Sequence, residues 1–218
     1  MLKKLYLVCT AFMLSLFAAG CSEEQVNHVE LMYDHLEEAV QIEKAVEDKQ
    51  GPLTEAENYE LELYEQLRDI SDLAELEEIA QTAIESAEER RSIMEEEKAI
   101  IETAYDEFQL SIEYLDEIED EEVKAQGQAM IEVMENRFET YQELFSQYLL
   151  TIDLDIELYS MYYHEDTTIE DLQDQHDLVN EAYQVINDLN QQFNDHTNEF
   201  NESKRSFYEM AELNVVFE

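Results

Sequence analysis

Breakers of regular structure are almost missing from this chain of 218 residues, which has one proline and three glycines. So few turn formers exclude a fold of many short strands and tight hairpins and favour long helices. Tryptophan is absent, and cysteine occurs only at Cys9 and Cys21. That excludes the cysteine framework that staples small secreted domains, so stability must come from packing. Positive charge is the other scarcity: 12 Lys and Arg stand against 56 Asp and Glu, a formal net charge of −44. No basic cluster offsets it, because Arg90 and Arg91 sit among glutamates. A surface this negative repels phosphate backbones, which excludes nucleic-acid binding, and it disfavours direct docking to anionic lipid or wall polymers unless divalent cations bridge the two. Weak, diffuse binding of Ca²⁺ or Mg²⁺ is expected as an ion atmosphere, with no cofactor. Screening shortens self-repulsion to about 3 Å at molar ionic strength, so a salty, halophile-like habitat is expected.

Signatures of catalysis are missing too. Gln25, Met32, Met161, Gln173 and Phe193 stand three residues before the five histidines. None is the Glu that di-metal helical bundles place there, and His-Glu-x-x-His does not occur, so no metal site is expected. The chain has no Gly-x-Ser-x-Gly elbow and no glycine-rich phosphate loop. Acidic pairs are so abundant that none is singled out for acid–base work. His164-Glu165-Asp166 lacks the alternating spacing of a calcium loop. His176 falls on an apolar seam, where a hydrogen-bonded core residue is the first reading and a ligand contact the second.

What the chain does have begins at its N-terminus. Lys3 and Lys4 form a positive head, Leu5 to Ala19 an uncharged apolar run, and Ala18, Ala19 and Gly20 a stretch of small residues. The 15-residue run is shorter than the roughly 20 residues of a permanent membrane helix, so residues 1–20 read as a signal peptide. Ala18-Ala19-Gly20-Cys21 resembles the lipobox of bacterial lipoproteins, although Ala18 stands where that motif prefers Leu. Cleavage is expected between Gly20 and Cys21, with the Cys21 thiol as the lipid attachment point and two acyl chains giving stable anchoring to the outer face of the membrane. Loss of Lys3 and Lys4 leaves 10 basic residues against 56 acidic ones, a net charge of −46.

Residues 21–218 read as a single all-α domain, an elongated antiparallel up-and-down bundle of three long helices plus a shorter N-terminal helix. The first helix is expected from about Glu23 to Lys49, with Met32, Leu36 and Val40 on its buried stripe. Gln50-Gly51-Pro52-Leu53 then reads as a corner, and Thr54-Glu55-Ala56-Glu57 as a capping box that starts the second helix. No Gly or Pro follows until Gly127, so that helix is expected to reach about Asp120, with a bend or break where Arg90, Arg91 and Glu95 to Glu97 thin the stripe between 88 and 98. The acidic run from Asp116 to Glu122 points to a corner near Gly127. A third helix carries Met130, Met134, Phe138, Tyr141, Tyr148, Ile152 and Tyr159. The alternation of Ile152 to Leu158 could suit a strand, but helical spacing continues on both sides and no second strand-like segment exists to pair with it. Thr168 and Asp171 can cap a fourth helix, whose seam is softened by Asn190, Thr197 and Lys204 among its Ile and Phe.

These helices resemble the YkyA-like family, the cell-wall-binding lipoproteins of Firmicutes. The resemblance rests on Tyr33-Asp-His-Leu-Glu-Glu-Ala39, Glu43, Gln50-Gly-Pro-Leu53, Asn136-Arg-Phe-Glu-Thr-Tyr141, Asp155-Ile-Glu-Leu-Tyr159 and the stretch from Phe200 to Ala211. It implies a Gram-positive surface lipoprotein with an elongated all-helical fold, no established enzyme activity and wall association; a cell-wall polymer or an envelope protein is the partner expected. Among matching positions, Arg137, Tyr141, Asp155 and Tyr159 are candidate contacts on one helix; salt-bridging and seam tyrosines are the alternative reading of the same residues. The function expected is a non-catalytic envelope-associated structural or interaction role. A small-solute or peptide-binding lipoprotein and a cell-wall hydrolase are the alternatives, to be separated by whether His176, Tyr159 and Asp155 face a void or a packed core.

Overall fold

A computed structural model describes residues 27–215. The expected signal peptide, residues 1–20 including Gly20, and the expected lipid attachment point Cys21 lie outside them. Among the described residues the regular structure is helical throughout: α1 (His28–Glu43), a 3₁₀ turn (Lys44–Val46), α2 (Glu47–Asp69), α3 (Leu73–Ile112), a second 3₁₀ turn (Leu115–Glu117), α4 (Glu121–Met161) and α5 (Ile169–Met210). No described helix is long and apolar enough to cross a membrane.

Short polar side chains start four of these helices by taking up amide groups that have no intrahelical partner. Asn27 accepts from the Val29 amide, Asp72 from the amides of Ala74 and Glu75 at 3.1 Å, and Asp120 from those of Glu122 and Val123. Thr168 and Asp171 form the capping box expected at the head of α5. The three long helices hold 40, 41 and 42 residues, each on the order of 60 Å at about 1.5 Å per residue.

Three expectations about corners are corrected. The Gln50 to Leu53 segment is not a corner: α2 runs through Gly51 and Pro52, and the residues leading into it keep helical torsions. Asp48, Gly51 and Pro52 are all exposed, so the Asp48 carbonyl that Pro52 leaves without a partner can bond water. The 3₁₀ turn just upstream tightens the helix in place of a break. The short first helix is therefore one segment of an arm that reaches Asp69, and Thr54 caps nothing. The long second helix is broken instead at Ile70, which is extended (φ −91°, ψ 145°), just before the Asp72 cap. Through 88–98, where a bend or break was expected, α3 has no break. Gly127 also lies within a helix, α4. A Cβ there would sit 2.7 Å from Leu115 Cδ1 and 3.2 Å from Phe207 Cε2, so this glycine admits close packing where a turn was expected.

Helix α5 packs on α4, α4 on α3, and α3 on both α1 and α2. Contacts between α4 and α5 descend in register: Gln126 with Ser203, Arg137 with Thr197, Gln147 with Ala182, and Gln175 with Leu154. Two cores result. One gathers Met32, Leu36, Phe108, Met130, Phe200 and Phe207; the other gathers Leu63, Leu67, Ala83, Tyr148, Ile152 and Ile186. Beside the first core α5 meets α1 directly, where Glu37 accepts from Tyr208 Oη at 2.8 Å and pairs with Lys204 at 3.2 Å. Beside the second core the corresponding space between α5 and α2 is a cleft.

Candidate functional site

The cleft has a volume of about 590 Å³ and takes residues from four helices. Helix α2 contributes Glu57, Glu60, Leu61 and Tyr64, a spacing of three and four that puts all of them on one face. On α5 the same rule selects His176, Asn180, Tyr183, Asn187 and Asn190. Between these walls, α3 supplies Arg90, and α4 supplies Tyr148, Asp155 and Tyr159.

Arg90 is the hub of the floor. Only 2% exposed, it donates from Nη2 to Asp155 Oδ2 at 2.6 Å and from Nη1 to Tyr183 Oη at 2.8 Å. Tyr183 in turn donates to Asp155 Oδ2 at 2.8 Å, closing a triangle. The guanidinium also lies 5.5 Å from the centre of the Tyr148 ring, within reach of its negative face. Glu60 is less well served. It is 3% exposed, and its Oε1 is 3.2 Å from Arg90 Nε, a charge contact in which neither atom makes a hydrogen bond. Its Oε2 receives only a long contact, 3.5 Å, from Tyr159 Oη.

Removal from water governs the titration of this floor. Burial pushes Glu60 up to about 7; Arg90 opposes the rise, while Asp155 and Glu57 add to it. Burial also raises Asp155, against the pull of Arg90 and the hydrogen bonds from Arg90 and Tyr183. For Arg90, burial works against the charge, yet Tyr183, Glu60 and Asp155 hold its pKa above the ordinary value. At one end of the cleft Tyr64 and Tyr162 both reach His176, at 3.2 and 3.4 Å. Burial and then Arg68 lower the His176 pKa, with Asp177 opposing, so the imidazole is neutral at pH 7.

The residues singled out from sequence divide between two places. Asp155, Tyr159 and His176 line the cleft. Arg137 and Tyr141 lie further along α4 as interhelical ties: Arg137 pairs with Glu43 of α1, donates to Thr197 Oγ1 of α5 at 2.9 Å and stacks 4.6 Å from Phe193, and Tyr141 donates to Glu97 of α3 at 3.2 Å. All four α4 candidates are buried. Cys21 and Gly20 lie outside the described residues. Among the described residues, no group of three or more His, Cys, Asp or Glu could hold a metal ion.

Arg90, Glu60 and Tyr183, which organise the floor, were not among the sequence candidates. The signal for Arg90 was the thinned apolar stripe between 88 and 98: a charged residue occupies the buried side of α3 because charge faces it from α2 and α4. Of the soft seam of α5, Asn190 lies on the opposite wall, whereas Thr197 and Lys204 meet Arg137 and Glu37 away from the cleft.

Fold and cleft together define an all-helical protein with a laterally open, tyrosine-lined cleft on a buried ionic floor among the described residues. The chain belongs to the YkyA family, whose model, described as "Putative cell-wall binding lipoprotein", matches residues 27–210. It is 25% identical over 173 residues to the "Uncharacterized lipoprotein YkyA" of Bacillus subtilis (strain 168), covering 78% of this chain and 77% of that protein. The fold resembles that of a conserved protein of unknown function from Staphylococcus aureus, with a TM-score of 0.59 and 11% identity over 85% of this chain and 98% of that one.

Proposed function

We propose that the chain is a lipoprotein of the outer membrane face, cut before Cys21 and anchored by lipid there, whose helical domain binds a cell-wall component without altering it chemically. Membership of the family supports the envelope setting. The observation that carries the binding role is the cleft, about 590 Å³ with polar groups converging from four helices, a volume within the range of ligand pockets. Arg90, Asp155 and Tyr183 hold one another in place, so the floor is organised before a ligand arrives. The domain is read as a single elongated antiparallel up-and-down bundle. The descending α4–α5 register, helices on the order of 60 Å, and the passage of α3, α4 and α5 through both cores support that reading.

The same cleft favours a small solute or a peptide as the second reading, since Asp155, Tyr159 and His176 are part of its lining. Co-sedimentation with purified Gram-positive walls, with and without Ca²⁺ or Mg²⁺, tests the proposal. Retention by walls is the expected result. Retention only with a divalent cation makes the contact a bridged one on the acidic surface, and no retention in either condition removes the wall reading. Loss of wall turbidity during the incubation would overturn the non-catalytic role and point to a hydrolase using Glu60 as its acid.

A further inference from the structure

We propose that the cleft between α2 and α5 recognises an ammonium group, carried by an amine-bearing solute or an amine substituent of a wall polymer, between the carboxylates of Glu57 and Glu60 and the ring of Tyr148. This rests on the cleft being the binding site.

The charge inventory of the site carries the inference. Three carboxyl groups line the cleft, Glu57, Glu60 and Asp155, against one permanent cation, Arg90. Asp155 is matched by Arg90 at 2.6 Å. Arg90 also lies 3.2 Å from Glu60, so one cation is shared by two carboxyl groups, leaving Glu57 and Glu60, one turn apart on the same face of α2, short of a full counter-charge. His176, the remaining basic side chain of the lining, is neutral at pH 7.

The second observation is Glu60 itself. It is 97% removed from solvent, yet Oε1 has no hydrogen bond and Oε2 only the long one from Tyr159. A buried acceptor without a hydrogen bond is costly, and the cationic N–H nearest to it, Arg90 Nε at 3.2 Å, does not supply one. Glu57 stands at the exposed rim and accepts from Tyr148 Oη, which fixes the Tyr148 ring beside the Glu57 carboxylate, with Glu60 in the lining of the same cleft. That ring already meets one cation, the guanidinium 5.5 Å away, so the site is a partly filled cation box. The surrounding charge of −44 draws cations in and repels phosphate or carboxylate ligands. Asn180, Asn187 and Asn190 on the opposite wall supply amides for neutral hydroxyl or amide groups of the same ligand.

Titration calorimetry of the full lipidated chain in detergent, with glucosamine and N-acetylglucosamine as matched probes, tests this directly. Glucosamine should bind measurably more tightly than its acetylated twin at pH 7. Heats in two buffers of different ionisation enthalpy should show a fraction of a proton released as Glu60 ionises. Glu57→Gln, at an exposed position and able to keep the hydrogen bond from Tyr148, should weaken glucosamine about fivefold; Glu60→Gln should also abolish the proton release. Equal or tighter binding of N-acetylglucosamine, or no binding of either sugar, overturns the inference. Walls treated with acetic anhydride separate the two sources. Retention lost on acetylation assigns the amine to the wall, and retention that persists, with glucosamine still bound, assigns it to a free solute. Failure of untreated walls to retain the protein would defeat the wall reading while leaving the ammonium preference standing.

Discussion

Replacing Arg90 with methionine, similar in length and uncharged, strands two carboxyl groups in the second core. Arg90 is 2% exposed, and Glu60 and Asp155 are each 3% exposed. Removing one partner of a buried charge group costs roughly 3–5 kcal/mol, a large part of the about 5–15 kcal/mol that holds a domain together. For a chain of this length each kcal/mol moves Tm by about 2–4 °C, so Arg90→Met should melt roughly 10 °C lower near pH 7.5. The deficit should shrink in acid. Burial already raises both carboxyl groups, Glu60 to about 7, and without the guanidinium both rise further, so near pH 5 they take up protons and the stranded charge disappears. Thermal melts followed by far-UV circular dichroism at the two pH values measure the difference. Adding Glu60→Gln and Asp155→Asn to the variant should recover most of the lost Tm at neutral pH. A deficit under about 2 °C near pH 7.5, or one of equal size at both pH values, would refute the buried ionic floor.

Other perturbations follow from the same contacts. The folded-state pKa of Glu60 lies above its ordinary 4.5, at about 7; its contribution is therefore fully present below about pH 4.5 and is lost as pH rises through 7. That change amounts to roughly 3 kcal/mol, and the slope of stability against pH in this window should flatten in Glu60→Gln. Gly127→Leu should cost about 2 kcal/mol by overpacking Leu115 and Phe207, seen as a lower urea midpoint with unchanged slope. Pro52→Ala should stabilise the chain by about 1 kcal/mol, because proline inside α2 removes a helix hydrogen bond; a lower Tm would return the corner to Gln50–Leu53. Raising NaCl from 0.1 to 2 M should raise Tm by screening the net charge of −44, whereas a flat or falling Tm would count against a salty habitat. Cys21→Ala should shed the protein into the medium or stall it uncleaved, and a variant still processed and lipid-labelled would defeat the anchor.

Apolar periodicity made the long helices α4 and α5 legible but merged α2 and α3 into one, and the polar residues that cap α5 were readable as well. Breakers misled in both directions. Gly51 and Pro52 looked decisive, but both are exposed, and an exposed helix interior can leave one carbonyl to water. The real break at Ile70 was hidden because Leu67, Ile70, Leu73 and Leu76 keep helical spacing across it, although Asp72 offered a cap. Gly127 was read as a conformational residue when its role is steric. The cleft was the least legible part, since a buried arginine looks in sequence like a weak point in the stripe. Only the approach of Glu60, Asp155 and Tyr183 from other helices turns that weak point into a site. Asp155 and Tyr159 were reached through the family pattern, whereas their partners on α2 and α3 lie 65 to 99 residues away along the chain, beyond the reach of any local periodicity.

The most direct measurement compares wall retention of two tryptophan variants placed at exposed positions. Asn187→Trp puts an indole at the mouth of the cleft, and Leu150→Trp puts one in the groove it shares with Val185 and Leu189, away from the cleft. With both proteins melting as the parent does, a binding cleft requires Asn187→Trp to lose about tenfold or more in affinity for walls, at least 1.4 kcal/mol, while Leu150→Trp binds as the parent. Equal retention of the two variants would contradict the cleft as the binding site.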